Sequence, residues 1–184
     1  MSEVVRLTLV SHAMTDAMAA GRFPADEPVN ALGRNQIDVD LGATARVRYA
    51  FCGPETRARQ TAQLLGLDCT VQPALADQDC GRWRGGDLAA VSAEDMTAWL
   101  TDPAAEPHGG ESVVDLIGRV ARWMNSLTAE HSPTVAVTHP AVVRAAVLTA
   151  LDAPPTSFWR VDVAPVSRTV LHGRGRRWTL RCNR

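Results

Sequence analysis

Two short apolar runs, each closed by a histidine, constrain this chain more than any other feature. One is Leu7-Thr8-Leu9-Val10-Ser11-His12 and the other is Val135-Ala136-Val137-Thr138-His139. Both are short, mostly apolar and rich in β-branched residues, the pattern of parallel strands buried on both faces. In open α/β sheets ligands bind outside the carboxyl ends of the strands. Two such strands, far apart in sequence, therefore bring two imidazoles to one sheet edge. Arg57, about one helical turn past a third strand, is placed to join them. Two histidines and an arginine at one edge point to phosphoryl chemistry.

The 184 residues fit one domain, and 46% hydrophobic residues suffice for a sizeable core. The net charge of −1 gives no global field to draw in nucleic acid or an anionic membrane. All 19 basic residues are arginine, so any phosphate contact comes from Arg, His, a neutral donor or the backbone. No long charge-free apolar run and no signal peptide is evident, which makes a cytoplasmic protein the expectation. Cys52, Cys69, Cys80 and Cys182 show no metal-finger spacing, and reduced thiols are expected. A cysteine-phosphatase loop is also excluded by spacing. Four residues separate Cys52 from Arg57, and six separate it from Arg59.

The pattern along the chain predicts a strand over 5–10, then an irregular loop containing Gly21, Pro24 and Pro28. Asn30 is a good N-cap for a helix to about Leu41. A strand over 47–52 follows, with Pro54 in the first turn of a helix that Gly66 stops near Leu65. A short strand is expected over 69–71. The glycine- and proline-rich stretch 75–111, with one helix over 93–100, reads as a small cap on the sheet edge. A helix from Ser112 carries the stripe Val113, Val114, Ile117, Val120, Ala121, Met124 and Leu127. After the second histidine strand, a helix over 140–151 precedes three expected strands, over 159–163, 168–172 and 177–182. The order predicts one three-layer α/β/α domain over 1–184, its mostly parallel sheet ending in an antiparallel edge.

Arg57 and Arg59 are two positions apart on one helix and cannot share a face. Thr61 and Leu64 fall on the side of Arg57, making it the inward one. Asp77 and Asp79 lie where the chain enters the cap. A carboxyl group beside a phosphate can protonate a leaving oxygen, and the phosphate raises its pKa by like-charge repulsion. Asp79 reads better as a turn residue. The arginines of the last eleven residues read as a solvated hairpin rather than a nucleic-acid surface. No nucleotide-binding glycine loop occurs. His108, His131 and His172 lack metal spacing.

These blocks together resemble the histidine phosphatase superfamily, in its phosphoglycerate mutase-like branch. That family opens on a strand ending Arg-His-Gly, where this chain has Ser11-His12-Ala13. Its Arg-Ala-x-x-Thr-Ala helix is matched in full by Arg57-Ala58-Arg59-Gln60-Thr61-Ala62. Asp77, followed by Gly81-Arg82-Trp83-Arg84-Gly85, stands where the family has an acid before Gly-x-Trp-x-Gly. Gly109-Gly110-Glu111-Ser112 and then Val137-Thr138-His139 with Arg144 complete the series. The resemblance implies that His12 attacks phosphorus and becomes a phosphohistidine. It implies that His139 and Arg57 hold the phosphoryl oxygens. Asp77 would protonate the leaving group and then activate water, and the resemblance implies no metal or organic cofactor.

Three departures bear on rate. Ser11 replaces the family's arginine, Asp77 is shorter than the usual glutamate, and Ala13 replaces glycine. A charge-assisted hydrogen bond contributes roughly 1.5–3 kcal/mol, so the lost arginine costs on the order of 10–100-fold or more in rate. Arg22, Arg82 and Arg84 are the candidates to supply the missing charge, with Ser11 offering a neutral hydroxyl. The expected partner is a small phosphorylated substrate; nucleic acid and membrane are not expected, and a homodimer is the base-rate oligomer. The competing function is a catalytically impaired member that binds a phosphorylated ligand or a partner.

Overall fold

The histidine runs become neighbouring strands. In the computed structural model, which describes residues 4–37 and 47–182, β1 (Val5–Ser11) pairs in parallel with β4 (Thr134–Thr138). β4 also pairs in parallel with β2 (Tyr49–Cys52), which pairs with β3 (Thr70–Val71). On the other side, β1 pairs antiparallel with β5 (Arg168–Arg174), and β5 with β6 (Arg177–Arg181). The six-stranded order is β3-β2-β4-β1-β5-β6, mostly parallel with an antiparallel edge.

Period-two alternation sorts these strands between two helical layers. Leu7, Leu9, Ala136 and Leu171 face one layer, α5 (Val113–Ser126) and α6 (Pro140–Leu151). Val10, Val135, Val137 and Cys52 face the other, where Ala62 and Leu65 close the core beside α3 (Thr56–Leu64). Three short helices lie outside this sandwich: α1 (Asp16–Ala19), α2 (Ala31–Gln36) and α4 (Ala93–Thr101). No helix among the described residues is long and apolar enough to cross a membrane.

Several local signals act as chemistry dictates. Asn30 and Ser112 cap α2 and α5 through their side chains, and Gly66 leaves α3 at φ +70°. Other expectations need correction. The helix after Asn30 ends at Gln36, with Ile37 extended; its expected continuation over 38–41 lies outside the described residues. Pro54 precedes α3 instead of entering its first turn, since Glu55 is the N-cap. On α5, Val114 is exposed, while Leu116 and Trp123 are buried. The expected strand over 159–163 does not form. Pro155–Arg160 is a 3-10 helix, and the Val161 carbonyl is taken by Arg144 Nε at 2.8 Å. Two prolines start this stretch, and both sides of β5, the next strand in sequence, are already paired.

Candidate active site

Register alone sets the histidines side by side. Ser11 is opposite Thr138 across β1 and β4, so the next residues, His12 and His139, leave the sheet together. The His12 N–H donates to the Thr138 carbonyl at 2.8 Å. The rings meet edge-on with centroids 5.1 Å apart. Both are buried. β2 ends beside them, and the N–H of Gly53, the residue after it, donates to the Val137 carbonyl at 2.9 Å. A Cβ at Gly53 would lie 2.7 Å from the Leu75 carbonyl oxygen and 2.8 Å from His139 Nε2, so only glycine fits.

α3 then delivers Arg57, buried to 2% exposure, while Arg59 faces solvent. Thr61 fastens this helix to the loop after His12. Its hydroxyl donates to the Arg57 carbonyl at 2.7 Å and accepts from the Ala13 N–H at 3.0 Å. One terminal nitrogen of Arg57 donates to Asp77 Oδ2 at 2.6 Å, and its other side-chain nitrogens have no protein partner. His139 Nδ1, likewise unpartnered, is 3.5 Å from the same Asp77 oxygen. His12, Arg57, His139 and Asp77 therefore form one cluster.

Asp77 is held from behind. Arg119, on α5, donates to the carbonyls of Ala74, Ala76 and Asp77 at 2.8, 3.1 and 3.3 Å. Glu111 accepts two hydrogen bonds from the same guanidinium, at 2.8 and 2.7 Å. The Glu of the Gly-Gly-Glu-Ser block is thus linked to the Asp77 loop through Arg119.

The electrostatics separate the groups. Burial, then the charges of His139 and Arg57, push His12 down to about 3. The ring is thus neutral at ordinary pH. Its Nδ1 donates to the Ala13 carbonyl at 2.8 Å, leaving Nε2 with the free lone pair. Burial pushes Asp77 up, but His139, Arg57 and His12 together outweigh it and hold the carboxyl below its ordinary range.

A hollow of about 180 Å³ opens beside His12, Arg57 and Asp77. Its walls are largely apolar: Met18, Phe23, Trp99 and Trp159. Phe23, Trp83 and Trp99 pack into one cluster that joins the loop after His12 to the 80–99 stretch. Arg22 and Glu27 line the hollow as well, as does Arg144, whose guanidinium lies over the Trp159 ring at 5.5 Å. The three arginines expected to replace the charge missing at Ser11 are scattered. Arg22 is at the hollow, Arg82 is exposed and paired with Asp95 at 3.2 Å, and Arg84, also exposed, lines a second hollow that Asp26, Asp79, Glu55, Arg57 and Asp77 border as well. Ser11 is fully buried, and its hydroxyl has no partner. Asp79 accepts from the Gly81 N–H at 2.9 Å, as a turn residue does.

The sequence reading missed Glu55. It occupies the N-cap of α3, where an acid reads as a helix cap, yet makes no capping hydrogen bond. One of its oxygens lies 2.6 Å from His139 Nε2, and the other accepts from the Asp77 N–H at 3.0 Å.

Comparison with known proteins agrees with this fold. A bifunctional protein of Mycobacterium tuberculosis is 29% identical over 178 residues, 88% of this chain; the chain spans about half (49%) of that relative's length. Glucosyl-3-phosphoglycerate phosphatase of Mycolicibacterium vanbaalenii is 30% identical over 181 residues, covering 86% of this chain and 79% of the relative. The solved mycobacterial glucosyl-3-phosphoglycerate phosphatase, complexed with VO3, superposes with a TM-score of 0.84 at 26% identity over 96% of each chain. A phosphoserine phosphatase of Entamoeba histolytica shares the fold, with a TM-score of 0.84 at 20% identity over 96% of this chain and 94% of its own. The family described as the histidine phosphatase superfamily (branch 1) matches residues 7–183, a span that takes in both histidines, Arg57 and Asp77, and the chain belongs to it.

Proposed function

We propose that this chain hydrolyses a small phosphomonoester through a phosphohistidine on His12. The observation that carries this reading is the His12 ring itself. It is buried and neutral, its Nδ1 is tied to a carbonyl, and it lines a hollow bordered by Arg57. In the first step Nε2 bonds to phosphorus, the ester P–O bond breaks, and Asp77 gives its proton to the leaving oxygen. In the second, water attacks phosphorus, Asp77 takes a proton from it, and the N–P bond breaks to release inorganic phosphate. Asp77 must be protonated in the first step, and a phosphoryl dianion beside it raises its pKa by like-charge repulsion. Arg57 and His139 bind the equatorial oxygens, whose charge they stabilise in the transition state. In this reading their positive charge does the work without a metal ion.

The relatives act on phosphorylated small molecules by name, and the same broad class is proposed here. Residues 75–111 act as a cap, with the 80–99 stretch forming part of the hollow's aromatic wall.

Hydrolysis of an aryl phosphate without added metal, from acidic to neutral pH, tests the proposal. Turnover with an acid-labile phosphoenzyme, both lost in His12→Ala, supports it. Full turnover by His12→Ala sinks it. Ser11 favours a second reading, a binding protein in the same fold, because its buried hydroxyl brings no charge. Under that reading the native chain binds phosphate analogues but is silent, and Ser11→Arg turns over.

A further inference from the structure

Glu55 joins two parts of the site that the chain supplies separately. Its carboxylate meets His139 Nε2 at 2.6 Å and the Asp77 backbone N–H at 3.0 Å. A carboxylate only accepts here, so Nε2 carries a proton. The other ring nitrogen, Nδ1, is buried without a hydrogen-bond partner, and the nearest charged atom is Asp77 Oδ2 at 3.5 Å. A neutral ring protonated at Nε2 would set a bare lone pair against that carboxylate, and against any phosphoryl oxygen held by Arg57. A doubly protonated ring donates at both ends.

From this geometry we propose that Glu55 is a positioning residue. It holds His139 as an imidazolium with Nδ1–H directed at the phosphoryl group, adding a full positive charge beside that of Arg57. The inference rests on the phosphoryl-site reading above. It also accounts for a site in which Ser11 contributes a neutral hydroxyl, Arg59 faces solvent and Arg82 is paired elsewhere.

The charged groups around the His139 ring come from four elements. Glu55 and Arg57 belong to the start of α3, Asp77 to the segment behind the sheet edge, His12 to the end of β1, and Arg144 to His139's own helix. The two carboxylates favour the cationic ring and the two arginines oppose it. His12 is neutral at ordinary pH. The direct contact with Glu55 decides the balance, because a charge-assisted bond at this distance is among the strongest available. Burial pushes Glu55 up, but its bond to His139 and the His139 charge lead the contributions that hold its carboxyl below its ordinary range.

Two measurements test this, and neither needs turnover. The first is the 15N shifts of the His139 ring nitrogens in the wild type near neutral pH, assigned by their loss in His139→Asn. Two protonated nitrogens are expected; one protonated and one bare nitrogen overturns the proposal. The second is binding of tungstate, a dianion across the range used, to wild type and Glu55→Gln. Glutamine keeps an acceptor oxygen but removes the charge. The expected loss in Glu55→Gln is about tenfold or more near pH 8 and shrinks to within about threefold near pH 6, where protons are about a hundredfold more abundant. A loss that is equal at both pH values marks a merely structural role and overturns the proposal, as does no loss at all. If Glu55→Gln fails to fold, the wild-type 15N result decides alone. A cationic His139 in a chain that hydrolyses no ester sinks the phosphatase reading and leaves the role of Glu55 standing. Turnover with a neutral His139 does the reverse.

Discussion

Arg57 and Asp77 are in direct contact, with the guanidinium 2.6 Å from Oδ2 at a carboxylate that is only 17% exposed. The contact sets the two groups in competition. A phosphoryl group that engages Arg57 does so beside an anion already paired to it, and binding pushes that anion toward protonation. Asp77→Asn removes the proton and keeps the shape. The expected loss is about 10²–10⁴-fold for alkyl phosphates, whose leaving oxygen needs a proton, and much less for dinitrophenyl phosphate. Equal losses for both esters would remove Asp77 from the acid role.

His12 predicts how stability depends on pH. In the unfolded chain its imidazole titrates near 6.5, and in the folded chain near 3. Between those values the unfolded chain binds a proton that the folded chain does not. The contribution to stability is therefore complete above about 6.5 and erodes as pH falls, by up to about 1.4 kcal/mol per pH unit. Urea unfolding between about pH 6.5 and 5.5 should show this slope in the wild type and a shallower one in His12→Gln, where His108 and His172, also lowered first by burial, still contribute. That window lies above the range where the carboxylates titrate.

Ser11→Arg places a guanidinium at a fully buried position next to His12 in sequence and opposite Thr138, the residue before His139. Its expected effect has two opposed parts. Tungstate affinity and aryl phosphate turnover rise by about tenfold or more, the worth of one charge-assisted bond. The melting temperature falls, because a buried charge is costly to desolvate, and added phosphate restores it. Loss of stability without gain in anion affinity would show that the position does not face the phosphoryl site.

Gly53→Ala tests the crowding at the end of β2. The added methyl would lie 2.8 Å from His139 Nε2 and 3.0 Å from Glu55 Oε2, wedged between the two groups. The expected destabilisation is about 1–3 kcal/mol in urea unfolding. Tungstate affinity should fall with it, since the wedge parts His139 from Glu55. Unchanged binding would mean that the contact is slack.

The walls of the hollow predict selectivity. Met18, Phe23, Trp99 and Trp159 offer apolar and aromatic surface beside His12. Aryl and apolar alkyl phosphates should exceed sugar phosphates in kcat/KM by about tenfold or more, a difference of roughly 1.4 kcal/mol. Trp99→Ala should narrow that ratio. A preference for sugar phosphates would show that the apolar wall does not contact the leaving group.

Much of the site was legible because its signals are local. A buried strand announces itself by composition, and the residue that follows it lands at the sheet edge. His12, His139 and the helix from Pro140 to Leu151 come directly from that rule. Arg57 follows from helix periodicity, since Thr61 on the same face ties α3 to the loop after His12. The misses share a different physical origin. Glu55 stands where acids cap helices, and only the approach of β4 gives its carboxylate another partner. Arg119 reads as a surface residue of an amphipathic helix until the 74–77 backbone lies against it. Trp159 and Val161 have strand-like composition, but β5 has no open side to receive them. Each miss depends on a partner distant in sequence, which local pattern does not carry.

The register of β1 on β4 has a further consequence. A slip of one residue would turn Leu9 and Val10 to the wrong helical layers and bury the wrong side chains on both faces at once. The spacing of His12 from His139 is therefore set by the apolar packing on both faces of the sheet. Loops around the hollow are free to diversify what the site admits without disturbing the distance between its two imidazoles.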